Sequence, residues 1–189
     1  MKIKKILVVL GGTSKERLVS LDTGKACVKA LKNLGYKVET LDPRKKLLSK
    51  IDRSKVDVIF NALHGRDGED GNAQSYFEYL KIPYTHSGVI SSMNCMDKEI
   101  SKKIFKKNNI KTPSSFILSN SNYEMKNIGN LVKKNKLKFP LVIKPINEGS
   151  SIGVKICKNL SMFKTNIKLL IKKYKRLIIE KYIGGQEVQ

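Results

Sequence analysis

Apolar residues fall into two kinds of short run, and their alternation along the chain predicts the elements. Ile6 to Leu10 is unbroken aliphatic, so residues 3–10 predict a strand buried on both faces of a parallel sheet, ending at Gly11-Gly12. From about Ser20 the spacing turns helical, with Ala26, Cys27, Ala30, Leu31 and Leu34 at helical spacing and Gly35 as the stop. Residues 36–41 form a second strand closed by Asp42-Pro43, and Val56 to Leu63 a third. A helix over 72–81 turns Ala73, Phe77 and Leu80 inward, and a short strand at 82–86 follows. This βαβ series predicts a doubly wound α/β domain.

Beyond about residue 95 the pattern changes. A helix near 97–108 leads to Pro113, a strand at 114–118, a Ser/Asn-rich loop at 119–123 and a lysine-rich helix to about 136. Strands at 141–145 and 152–157 flank Asn147-Glu-Gly-Ser-Ser151, and a helix near 159–174 precedes the strand from Arg176 to Ile183. The boundary falls near Met96, giving two units, 1–96 and 97–189. Gly184-Gly-Gln-Glu-Val-Gln189 reads as the opening of another strand, so the second unit is expected to be incomplete.

Composition narrows the classes. The 189 residues are 40% hydrophobic, enough to bury a core. The longest aliphatic run, Ile6 to Leu10, is far shorter than the roughly 20 residues of a membrane span and also falls short of a signal-peptide core. Cys27, Cys95 and Cys157 are widely spaced, as suits free thiols in a reducing cytoplasm. With 38 basic and 16 acidic residues the formal charge is +22, which attracts polyanions. Only five basic residues are Arg, however, and the lysines spread over predicted helix faces. The excess reads as a surface bias, with neither nucleic acid nor membrane expected as a partner.

Candidate chemistry sits in a few segments. Glu148-Gly-Ser-Ser-Ile-Gly153 has the composition of a phosphate cradle, offering consecutive N–H groups and two hydroxyls, although a plain hairpin turn has the same makeup. Lys144 lies inside the apolar run Leu141-Val-Ile-Lys-Pro145, where an ammonium is costly unless it meets an anion. Glu180 and Lys181 interrupt another apolar strand on alternate faces, as a cross-strand ion pair also would. Gly11-Gly-Thr-Ser-Lys-Glu16 lacks dinucleotide-binding spacing, and Glu16 there suits a substrate ammonium or simple helix capping. His64 and its glycines lie at the carboxyl end of the third strand, where open α/β sheets place ligands. Two histidines and no His/Cys cluster leave no metal site, and no nucleophile elbow is present.

Taken in order, seven segments resemble D-alanine–D-alanine ligase, an ATP-grasp family. They are Gly11-Gly-Thr-Ser-Lys-Glu-Arg-Leu-Val-Ser-Leu21, His64-Gly-Arg-Asp-Gly-Glu-Asp-Gly71, Pro83-Tyr-Thr-His-Ser-Gly88, Met96-Asp-Lys98, Val142-Ile-Lys-Pro145, Glu148-Gly-Ser-Ser-Ile-Gly153, and Ile179-Glu-Lys181 through Glu187. The resemblance implies a Rossmann-like parallel-sheet domain, the pre-ATP-grasp part, followed by the first, α+β part of an ATP-grasp domain, truncated. It implies ATP-dependent joining of two D-alanines through an acyl phosphate, for peptidoglycan synthesis in the cytoplasm, by a homodimer when complete.

Residue by residue, the resemblance gives Glu16 to the ammonium of the first D-alanine and His64 to the same pocket. Lys98 and Lys144 would contact ATP phosphates, and Ser150 and Ser151 belong to a loop closing over the γ-phosphate, with Ser150 also linked toward Glu16. Glu180, Lys181 and the backbone of Ile183 would hold the adenine, and Glu187 the ribose. Leu18 and Thr23 depart from the family's usual acidic residue and serine. The Mg2+ ligands, an arginine and a tyrosine of the family fall beyond residue 189, so residues 1–189 alone are expected to be inactive. The serine turn and Lys144 and Lys181 are expected to surround one triphosphate. A D-lactate or D-serine ligase and a non-catalytic nucleotide-binding remnant are the alternatives.

Overall fold

The computed structural model describes residues 5–121, 124 and 127–186, which divide into two compact units, Met1–Cys95 and Met96–Gln189. In the first unit β1 (Lys5–Val9) is the centre of a three-stranded parallel sheet in the order β2-β1-β3, flanked by β2 (Lys37–Leu41) and β3 (Val58–Asn61). Leu7 and Val9 join one buried cluster, with Leu41, Ile59 and Phe77. Ile6 and Val8 join another, with Leu10 and Ala62, packed by Leu21, Val28 and Leu31. Apolar layers on both faces are what an uninterrupted aliphatic strand requires.

Helix α1 (Arg17–Asn33) begins three residues before Ser20. Ser20 does not cap it; the buried hydroxyl accepts from Gly11 N at 2.8 Å and donates to Ala62 O at 2.6 Å, tying the β1–α1 turn to the end of β3. Helix α2 (Asn72–Tyr79) buries Ala73 and Phe77. The strand expected at 82–86 is reduced to a single parallel bridge, Ile59↔Tyr84. Its pairing ends at Thr85 N→Ile59 O, and the next residue, His86, turns away in the left-handed region at φ 77°. A helix that sequence reading did not assign, α3 (Val89–Met96), follows.

The second unit is an antiparallel sheet in the order β4-β7-β5-β6: β4 (Ser115–Ser119), β7 (Arg176–Lys181), β5 (Leu141–Pro145) and β6 (Lys155–Cys157). Leu141, Ile143, Leu177 and Ile179 face a core built with Ile128 and Val132 of α5 (Ile128–Lys134) and Phe163, Ile167 and Ile171 of α6 (Leu160–Tyr174). The pleat sends Val142, Lys144, Ile178 and Glu180 to the opposite face. Helix α4 (Lys98–Lys107) reaches that face with its lysines. β6 is shorter than expected because residues 149–154 are spent on the turn, with Ile152 N→Gly149 O and Val154 N→Ser151 O. Among the described residues no helix is long and apolar enough to cross a membrane.

Candidate functional site

In the first unit two glycine-rich loops meet where β1 and β3 end. The Ser14 hydroxyl donates to His64 O at 2.7 Å and accepts from Glu16 N at 3.1 Å, so one side chain joins the two loops. Glu16 occupies the position before α1, and its carboxylate lies against Gly65, where a Cβ would overlap Glu16 Oε2. Gly65 is also left-handed, at φ +68°, so glycine is required there on both counts. His64 sits between Glu69 Oε1, 3.4 Å from Nδ1, and Thr23 Oγ1, 3.2 Å from Nε2. The loops that carry Glu16 and His64, the residues predicted for one pocket, are thus joined, and Thr23 keeps a hydroxyl beside His64.

Residues that sequence reading passed over hold these loops. Arg17 grips Asp42 with both arms, Nη1–Oδ1 at 2.9 Å and Nη2–Oδ2 at 2.6 Å, and also donates to Gly12 O. Gly12 N and Arg44 N donate to the same carboxylate. The guanidinium, with these backbone donors, holds the Asp42 carboxyl down to about 2 against the opposing effect of burial. The only available signal was Asp42 closing the second strand, and nothing local pairs it with Arg17. A cavity of about 390 Å³ opens beside His64, lined among others by Thr23, Asn61, Gln74, His86 and Cys95. His86 Nε2 donates to Asn61 O at 2.9 Å, and its ring meets Phe60 edge-on.

In the second unit the chemistry gathers under α4. Asp97 caps this helix by accepting from Glu99 N and Ile100 N. Lys98 and Lys102 stand one turn apart on it, hence on one side. Lys98 donates to Glu148 O and, at 3.3 Å, to Ile146 O, both at the entrance of the serine turn. Lys102 donates to Pro113 O at 2.6 Å and lies 2.5 Å from Glu180 Oε1. Lys144 lies 2.7 Å from Glu180 Oε2. Burial and the nearby Lys144 charge push the Lys98 ammonium below its ordinary range. Burial pushes the Glu180 carboxyl up, but hydrogen bonds from Lys102 and Lys144 outweigh it and leave the group lowered.

The turn over 148–153 carries left-handed backbone at Ser150 (φ 45°), Ser151 (φ 57°) and Gly153 (φ 75°). Ser150 and Ser151 are exposed. Lys181 is not brought to this cluster: it pairs with Leu141 on the sheet face of Leu177 and Ile179, whereas Lys144 and Glu180 occupy the other. Ile183 follows the end of β7 and is exposed. Glu187 lies outside the described residues. Lys102 and Lys144 share one buried carboxylate, and Lys98 stands at the entrance of a turn built of small hydroxyl residues with Glu148 and Asp97 also near it, an arrangement that can receive a phosphate chain. Among the described residues no group of three or more His, Cys, Asp or Glu side chains could hold a metal ion.

Two family models match the chain: that for the D-ala D-ala ligase N-terminus over residues 39–87 and that for the D-ala D-ala ligase C-terminus over residues 104–189. A D-alanine–D-alanine ligase of Pelagibacter ubique is 56% identical over 186 residues, 98% of this chain and 60% of that protein. A crystal structure of D-alanine–D-alanine ligase from Bacillus anthracis superimposes with a TM-score of 0.85 at 37% identity, over 96% of this chain and 58% of that one. A second, complexed with ATP, gives 0.83 at 35% identity, over 96% of this chain and 60% of that one. The chain spans about three-fifths of the length of these relatives.

Proposed function

The chain belongs to the D-alanine–D-alanine ligase family, and on that premise we propose that its protein joins two D-alanines at the expense of ATP in peptidoglycan precursor synthesis. The observation that carries the reading is the cluster in which Lys102 and Lys144 meet Glu180 while Lys98 holds the entrance of the serine turn. Two ammonium groups share the single carboxylate of Glu180, which leaves Lys144 with charge to offer a phosphate. ATP supplies the phosphoryl group that activates a carboxylate, a poor electrophile, for attack by an amine.

Lys98 and Lys144 bind phosphate oxygens and stabilise the charge on the transferring group, which is where most catalysis of phosphoryl transfer lies. Ser150 and Ser151 close over the γ-phosphate. Glu180, Lys181 and the Ile183 backbone hold the adenine edge, and Glu187 the ribose. In the first unit Glu16 takes the ammonium of the first D-alanine, with His64 lining the same pocket. The carboxylate oxygen of that D-alanine takes the phosphoryl group. The amine of the second then attacks the carbon, and phosphate leaves. Mg2+ accompanies ATP in this reading, and among the described residues no group of three or more His, Cys, Asp or Glu would hold it. A cytoplasmic homodimer without nucleic-acid or membrane partners completes the proposal, on the strength of the family alone.

The test is an assay of the full protein that couples ADP release to D-alanine and identifies the product by mass. ADP release that depends on D-alanine, with D-alanyl-D-alanine formed, is the expected result. ADP release without dipeptide would overturn it, and preferential use of D-lactate or D-serine in acceptor competition would move the assignment to a ligase of that specificity.

A further inference from the structure

Lys102 touches no part of ATP or D-alanine in the reading above, yet it is among the most enclosed charges of the second unit. Its side chain is 16% exposed, and its ammonium is held at one end of a three-membered chain, Lys102–Glu180–Lys144. The central carboxylate is 8% exposed and receives one ammonium on each oxygen. Lys144 is 33% exposed, the more accessible of the two lysines. Lys102 is anchored a second time, by Pro113 O. The two partners of Glu180 are therefore unequal: one is fixed, the other free to turn outward.

That inequality matters once a phosphate arrives. If Lys144 leaves Glu180 for a phosphate oxygen, a carboxylate with no other ammonium beside it would be left uncompensated in a buried place. Resting on the ATP reading, we propose that Lys102 is a positioning residue for the nucleotide: it keeps Glu180 paired, so that Lys144 is released to the phosphates. Without Lys102, Lys144 is the sole counter-ion of Glu180 and stays where it is. The fraction of protein with a competent Lys144 falls, and apparent affinity falls with it.

Binding of a fluorescent ATP analogue to the full protein, with steady-state kinetics, tests this. Lys102→Met is expected to weaken binding about tenfold and raise the KM for ATP in proportion, with kcat at saturating ATP held within about twofold. Lys102→Arg, which keeps the charge and can donate to both Glu180 and Pro113 O, is expected to bind like wild type. In a Glu180→Gln background there is no carboxylate to strand, so adding Lys102→Met is expected to cost less than about twofold. This comparison stands even if Lys102→Met alone fails to fold, because the double variant leaves no unpaired buried charge. Unchanged binding in Lys102→Met, or an equal tenfold loss in the Glu180→Gln background, would overturn the proposal. Failure of the wild-type protein to bind the analogue would instead overturn the ATP reading itself.

Discussion

At Gly65 the missing side chain is the functional feature. The Glu16 carboxylate occupies the space a Cβ would fill, and the left-handed backbone adds a second penalty for any other residue. Gly65→Ala is therefore expected to displace Glu16 and lower kcat/KM for D-alanine by about ten- to a hundredfold, the effect of misplacing a binding group by about 1 Å. Titration with a fluorescent ATP analogue should be unaltered, and a matching loss there would locate the damage elsewhere. Asp42 makes a second case. Its folded-state carboxyl is held down to about 2 by Arg17, whereas an unfolded Asp titrates near 3.9. A depressed carboxyl contributes stability that is complete above the unfolded value and is lost as pH falls toward the folded one. Urea unfolding from about pH 5 to pH 2 should show wild type losing on the order of 1 kcal/mol more than Asp42→Asn. Parallel slopes for the two proteins would remove the clamp from the account.

Among the elements, α4 ties stability to the site because its first two turns carry Lys98 and Lys102. Asp97→Ala removes the cap and should cost about 1 kcal/mol of stability together with measurable ATP affinity. Asn159→Ala on α6 removes a comparable cap, Asn159 Oδ1 to Met162 N at 3.0 Å, and should cost similar stability while leaving ATP affinity intact. Equal affinity losses in the two variants would mean that fold stability, not placement of the lysines, sets binding. How readable such elements are depends on where their determinants lie. β1, β5 and β7 announce themselves as apolar runs, and Lys144 and Glu180 stand out by interrupting two of them. Lys102 does not stand out, because a lysine in Lys-Glu-Ile-Ser-Lys-Lys reads as a solvated helix face; its partner is 78 residues away. Helix α3 escaped for a related reason. Val-Ile-Ser-Ser-Met-Asn-Cys-Met has little intrinsic helix preference, and the contacts of Val89 and Met93 with Gly71 are long-range. The helix expected from about Ser20 starts at Arg17 instead, and the Ser20 hydroxyl ties the turn after β1 to the end of β3.

Over the whole molecule the governing quantity is a net charge of +22 on 189 residues. Exposed pairs such as Lys25–Asp22, with side chains 75% and 80% exposed, offset little of it. Most lysines therefore repel one another across solvent, and folding brings them closer together. Salt screens such repulsion, with a Debye length near 10 Å at about 0.1 M, but acts much less on the enclosed contacts of Glu180 with Lys102 and Lys144. Raising NaCl from about 20 to 200 mM should then raise the midpoint of thermal unfolding. On the proposed ATP reading the same change should weaken ATP binding, because a lysine cluster that receives a triphosphate would draw it in through a field that salt also screens. The two opposite trends, read by calorimetry and by fluorescent-nucleotide titration on one preparation, separate diffuse surface charge from the charge concentrated at the site. A midpoint that fell with salt would mean that exposed ion pairs outweigh the repulsion, and the lysine excess would then need a structural explanation rather than a compositional one.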